Sequence, residues 1–180
     1  MAKVPSARKG KDISSWHVGV AAEAIAAGQF ARCSFDVSVQ YGANQPEYDL
    51  IIAKGDKLLK VSVKGSQDGG WGLTQSYLKD GDYLGAIDQW RATHKPKTVF
   101  CFVQFLGVPL DGMPRVYVAT PAEVANRLKA TCAGGGSTIL YENHTWTSRA
   151  KPGYANTIET IPPMWRFTKQ RVELLFDEAA

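Results

Sequence analysis

The stretch YDLIIAKGDKLLKVSVKGS, residues 48–66, constrains the fold more than any other part of the chain. Two runs rich in aliphatic residues flank Gly55-Asp56, a pair suited to a two-residue hairpin turn. With that turn, Lys54 pairs with Lys57, and counting outward sets Ala53 against Leu58, Ile51 against Lys60, Asp49 against Ser62 and Glu47 against Lys64. Side chains alternate along a strand, so all of these share one face, while Leu50, Ile52, Leu59, Val61 and Val63 form an apolar face. A slip of one residue would turn the lysines into the core, which pins the register. The hairpin thus gathers Asp49, Ser62, Lys64 and Glu47 on its polar face.

The flanking elements follow from periodicity and punctuation. A helix is predicted after Ser15 as N-cap, through WHVGVAAEAIAA to Gly28 as its end. A strand follows over 30–40, then the loop YGANQP and the hairpin, with strands near 47–53 and 58–64. Residues 65–81, rich in Gly and polar groups, read as a loop. A helix over DYLGAIDQWRATH and a strand over TVFCFVQF come next, then the strand RVYVAT and the helix PAEVANRLKA, with Pro121 in its first turn. A strand at 138–141 and a closing helix from about Pro163 complete the reading.

The first part of the chain therefore has the order α-β-β-β-α-β. A meander of three antiparallel strands would be joined in parallel by the strand after the second helix. An α/β fold is expected, a mixed central sheet flanked by helices, with C-terminal additions. At 180 residues the chain suits one domain: a loose basic N-terminus over 1–13, a core over 14–105 and an extension of the same domain over 106–180.

Composition excludes several classes. The net charge of +4 suits a polyanionic partner without requiring one. Positive residues gather at Lys3, Arg8, Lys9 and Lys11, at Lys95 and Lys97, at Arg149 and Lys151, and between Arg166 and Arg171. The three cysteines, Cys33, Cys101 and Cys132, are too far apart for a CxxC zinc site or a disulfide framework, and read as reduced thiols. Nothing near the N-terminus resembles a signal peptide, and no run approaches a membrane span, so a cytoplasmic location is expected.

Glu23 is the only formally charged residue between Ser14 and Gly28. At about 100° per residue it shares a stripe with Trp16, Val20 and Ala27, on a helix whose apolar circumference predicts burial on more than one side. A carboxylate there is costly unless a cation, a metal or a donor meets it, or unless it sits at the helix edge. Glu23, Asp49 and Lys64 would converge at one end of the sheet. Carboxylates are hard oxygen ligands for Mg²⁺, and a lysine beside them can hold a water or offset charge on a phosphate. Those are the parts that phosphodiester hydrolysis uses.

These residues in this order resemble the PD-(D/E)XK nuclease superfamily, which includes type II restriction enzymes, archaeal Holliday junction resolvases and some homing endonucleases. The resemblance covers roughly residues 14–105. GVAAE supplies Glu23 as the first-helix acid, EYDLII supplies Asp49 as the acid of the second strand, and SVK supplies Lys64 as the motif lysine. It implies a restriction-endonuclease-like core, and metal-dependent cleavage of DNA with Mg²⁺, or Mn²⁺, held by Glu23 and Asp49. Enzymes of this kind often pair, so a homodimer is a further expectation. The chain departs from the pattern at Ser62, where the family normally carries Asp, Glu or sometimes Gln. Three outcomes follow: Ser62 acts through a water, Glu47 supplies the missing carboxylate, or catalysis is lost and nucleic-acid binding remains. Glu47 reads first as a surface partner of Lys64, an ion pair worth little energetically.

In the loop after the lysine, Gln75 is a candidate phosphate or base contact, and Trp71 either stacks on a base or packs onto the sheet. QDGGWG lacks the Lys-Ser/Thr of a P-loop. His17, His94 and His144 have no metal-ligand spacing, and His94, near a helix end, suits the helix dipole. Trp90, Trp165 and Phe176 read as packing residues. WRFTKQRVELLF reads as an amphipathic cover helix, with a phosphate-contacting or dimer-contacting role as the alternative.

Overall fold

The computed structural model describes residues 13–40, 47–149 and 153–179. The basic stretch 1–12, the loop YGANQP and Lys151 lie outside the described residues. Five strands form the main sheet: β1 (Asp36–Val39), β2 (Leu50–Lys54), β3 (Lys57–Ser66), the later β5 (Thr98–Gln104) and β6 (Arg115–Ala119), in the order β1-β2-β3-β5-β6. The pair β3–β5 is parallel and the other pairs are antiparallel. The sheet is therefore mixed, as expected. The hairpin register also matches, with Lys54 opposite Lys57, Ala53 opposite Leu58 and Ile51 opposite Lys60.

Helices cover both faces. On one face, α1 (Ser15–Arg32) and α4 (Lys169–Ala179) pack Ala22, Ala26, Phe30, Val172 and Leu175 onto Leu50, Ile52, Leu59 and Val61. On the other, α2 (Tyr83–Thr93) and α3 (Pro121–Gly134) pack Ile87, Trp90, Val124 and Leu128 around Phe100 and Phe102. β5 lies between the two layers with every residue buried, which is why TVFCFVQ is an unbroken apolar run up to Gln104. Each large side chain so enclosed contributes about 1.5–3 kcal/mol of burial. No helix among the described residues is long and apolar enough to cross a membrane.

Several boundaries differ from the expectation. Ser14 caps α1, its hydroxyl accepting from the His17 N–H. The helix runs through Gly28 to Arg32, so residues 30–32 are helical and the strand begins only at Asp36. Gly28 meets no tertiary neighbour where a side chain would stand, so nothing breaks the helix there, and Phe30 gains burial by prolonging it. Cys33 is accordingly the helix cap rather than a strand residue; it is a buried free thiol, as are Cys101 and Cys132. α1 is also buried on one side only: Val18, Ala22, Ala26 and Phe30 face inward, whereas Trp16 is 69% exposed.

The stretch 65–81 is more ordered than a loop. It holds β4 (Gly70–Gly72), which pairs with β7 (Ile139–Tyr141), and a 3₁₀ turn at Gln75–Tyr77. A second small sheet joins β8 (Asn143–Thr145) to β9 (Ile158–Thr160), and a 3₁₀ turn at Pro163–Trp165 precedes α4. β4 thus stands between β3 and α2 in chain order.

Candidate active site

The candidate site lies where Asp49 enters β2, Lys64 nears the end of β3 and α1 crosses above them. The backbone register carries Asp49 opposite the Ser62–Val63 stretch: the Asp49 N–H donates to the Val61 carbonyl, and the Val63 N–H donates to Asp49 Oδ2 at 2.5 Å. That bond orients the Asp49 carboxylate. Gly65 sets how closely α1 approaches, because a Cβ on it would stand 2.8 Å from the Val18 carbonyl oxygen and 2.9 Å from Ala22 Cβ. Only a glycine fits there without displacing the helix.

Glu23 sits one turn beyond Gly19, on the border between the buried and open sides of α1, half-buried. Burial pushes its carboxyl above the ordinary carboxylate range, the Asp49 charge adds to the push, and Lys64 pulls it back. The three groups named as a catalytic set therefore share one electrostatic neighbourhood, although Glu23 arrives from a helix on the opposite face of the sheet from Phe100 and Phe102. Among the described residues Lys64 forms no ion pair, with Glu47 or any other carboxylate. Lys60, on the same strand, lies 4.9 Å from the Tyr48 ring centroid and serves as its cation–π partner.

Ser62 stands in register with Phe100 and is 3% exposed. Its side chain is enclosed by the layer that holds Trp90 and His94, whose rings pack on Phe100 at 5.3 and 5.0 Å. His94 is the C-cap of α2. Burial holds its pKa below the ordinary value, with Lys64 and Arg91 reinforcing and Glu47 opposing.

A cleft of about 370 Å³ opens beside the lysine, lined by Ser15, Gly19, Lys64, Asp68, Gly70 and Gly72 among others. Its floor is tied by a buried chain of bonds: Gln104 Nε2 donates to Ser66 Oγ at 3.1 Å, and Ser66 Oγ donates to Asp68 Oδ1 at 2.8 Å. Gln104 Oε1 in turn accepts from the Leu106 N–H at 2.9 Å. Sequence reasoning passed over Gln104 and Asp68; the only signal was a polar residue ending the apolar run of β5.

Of the two expectations for Trp71, the structure shows packing: at 3% exposure it lies on Phe102, 5.2 Å away, and on Tyr117, while also lining the cleft. Gln75 is exposed and folds over Gly72, at the cleft rim. Among the described residues no group of three or more His, Cys, Asp or Glu is arranged to hold a metal ion. Glu23 and Asp49 are the two carboxylates here whose charges act on one another. In comparisons with known proteins, no family model and no curated protein sequence matches this chain.

Proposed function

We propose that the protein is a metal-dependent DNA endonuclease or resolvase-like phosphodiester hydrolase, built on a restriction-endonuclease-like core of the PD-(D/E)XK kind. The observation that carries the reading is the coupling of Glu23, Asp49 and Lys64: the Glu23 carboxyl is raised by burial and by Asp49 and lowered by Lys64. Two half-buried carboxylates that repel each other are a donor set that a hard divalent cation would relieve, so the residues fit Mg²⁺ or Mn²⁺. Glu23 and Asp49 would hold the ion, which would supply Lewis-acid stabilisation of phosphate charge. Asp49, fixed by the Val63 N–H, presents its carboxylate at a set angle. The Lys64 ammonium, without a carboxylate partner among the described residues, holds the attacking water or offsets the charge that develops on the phosphate. Asp68 and Gln104 keep the cleft floor in place, and Gln75 meets the DNA at the rim.

The test is incubation of supercoiled and branched DNA with Mg²⁺ or Mn²⁺. Wild type is expected to cut, and Lys64→Ala to cut at least 100-fold more slowly, in line with the loss of an acid–base group worth about 10²–10⁴. No cleavage by wild type, or equal cleavage by Lys64→Ala, sinks the reading.

The burial of Ser62 favours a second reading, a noncatalytic DNA-binding or assembly module on the same fold. Ser62 is neutral and 3% exposed, so it gives an ion no third anionic ligand. This reading expects salt-sensitive DNA retention without cleavage and without metal.

A further inference from the structure

A second cavity, of about 400 Å³, lies beside the β4–β7 pair, next to the cleft. Tyr83 at the start of α2, Tyr141 at the end of β7 and Trp146 after β8 supply its aromatic walls, and the Gly135–Thr138 turn closes it. The turn is shaped for closeness: Gly136 has φ +80°, and a Cβ on it would stand 3.0 Å from Tyr83 Cβ. Tyr141 and Trp146 meet nearly at right angles, 86° with centroids 6.0 Å apart, so one ring can serve as floor and the other as wall. His144 braces both, stacked on Tyr141 at 4.0 Å and edge-on to Trp146 at 4.4 Å. Among the described residues no charged side chain lines the cavity. Its volume falls in the range of about 300–1,000 Å³ common for ligand sites.

A neutral aromatic slot suits a flat heterocycle better than a phosphate. Its position says which one. Gly70 and Gly72 line the cleft that holds Lys64, and in register they face Tyr141 and Ile139, which line the cavity. The two are thus lined by neighbouring strands of one pair, whose backbones run about 4.8 Å apart. Asp68 in the cleft also lies close enough to Tyr141 to help burial raise the phenol.

We propose that the Tyr83–Tyr141–Trp146 cavity receives one unpaired DNA base from the nucleotide adjoining the phosphodiester at Lys64. The inference rests on the nuclease reading for its ligand and deepens it, since it selects substrates with an unpaired base: a bulge, a flap or a branch point. Stacking on aromatic walls carries the recognition, and no base-specific contact is required.

The experiment uses 2-aminopurine at the unpaired position of a flap DNA and, separately, in a fully paired duplex, in buffer free of divalent metal. Wild type is expected to change the fluorescence of the flap probe and to bind it more tightly than the duplex. Tyr83→Ala and Trp146→Ala are expected to weaken flap binding about tenfold or more, as loss of a stacking partner implies, with duplex binding unchanged. Tyr141→Phe, which keeps the ring, is expected to bind as wild type. Tyr83 is 41% exposed, so its truncation is the variant least able to act through unfolding. Equal flap and duplex binding by wild type, pocket variants that bind flap DNA as wild type, equal losses on both DNAs, or no binding of either DNA would each overturn the proposal. Cleavage assays separate the two ideas: cutting with no pocket effect sinks this inference alone, and pocket-dependent binding without cutting sinks the nuclease alone.

Discussion

Asp49 and Val63 meet across the hairpin, the backbone N–H of Val63 donating to Asp49 Oδ2 at 2.5 Å. A backbone group one residue before Lys64 thus orients the acid proposed to hold the metal. Asp49→Asn keeps an oxygen for that N–H and removes the charge. It is expected to abolish cleavage while leaving the melting temperature close to wild type. Asp49→Ala is expected to lose cleavage and also about 1–3 kcal/mol, the cost of an orphaned, part-buried donor, read by denaturant unfolding.

The raised Glu23 carboxyl sets a pH dependence for the ion. Its proton competes with the metal, so Mn²⁺ affinity is expected to weaken as the pH falls through a range above 4.5, the ordinary glutamate value. Calorimetry at several pH values should show proton release on binding that disappears in Glu23→Gln. The sign for stability is opposite to the usual carboxylate. Because the folded value lies above the unfolded one, the charged form carries a penalty at neutral pH that vanishes in acid. Glu23→Gln is therefore expected to melt higher than wild type at pH 7, with no such gain in acid.

Gly65→Ala forces a methyl against the Val18 carbonyl oxygen and Ala22 Cβ. An overpacking cost of about 1–3 kcal/mol is expected in unfolding experiments. Since α1 must lift to make room, cleavage is expected to fall more than stability alone explains, measured under conditions where the variant remains folded.

Glu142, between β7 and β8, clamps the aromatic arm to β6. Arg115 donates to it from Nε at 2.6 Å and from a terminal nitrogen at 2.8 Å, and the Tyr117 hydroxyl donates at 2.8 Å. Burial works to raise the Glu142 carboxyl, but the bonds from Arg115 and Tyr117 win and hold it below 4.5. Its stabilisation is thus fully present above the ordinary carboxylate range and is lost as the pH falls through the depressed folded value. Glu142→Gln is expected to cost stability at pH 7 and to flatten the acid limb of the melting-temperature profile.

The expected hairpin appeared with its register intact because every cue agreed: a Gly-Asp turn, alternation on both strands and one wholly apolar face. The parallel docking of β5 was legible for a similar reason, since a helix between two strands makes a crossover cheap. The misread places lacked such agreement. Gly28 looked like a helix end, but a glycine stops a helix only where the next residues gain by leaving it, and Phe30 gains burial by staying. Trp71, in a polar stretch, was open to either outcome from its sequence, and Phe102 and Tyr117 lie across from it and take it into the core.

The sequence alone determined the hairpin register, its apolar face and the helix between β3 and β5, because these depend on periodicity and turn chemistry within a few residues. Only the tertiary structure decided that Ser62 is enclosed, that the Asp49 and Lys64 charges act on Glu23, and that Tyr83, Tyr141 and Trp146 line one cavity beside the β4–β7 pair. Those outcomes depend on how closely α1 settles on Gly65 and on the pairing of β4 with β7. Both contacts join segments far apart in the chain, and their energies lie in packing that no local pattern encodes.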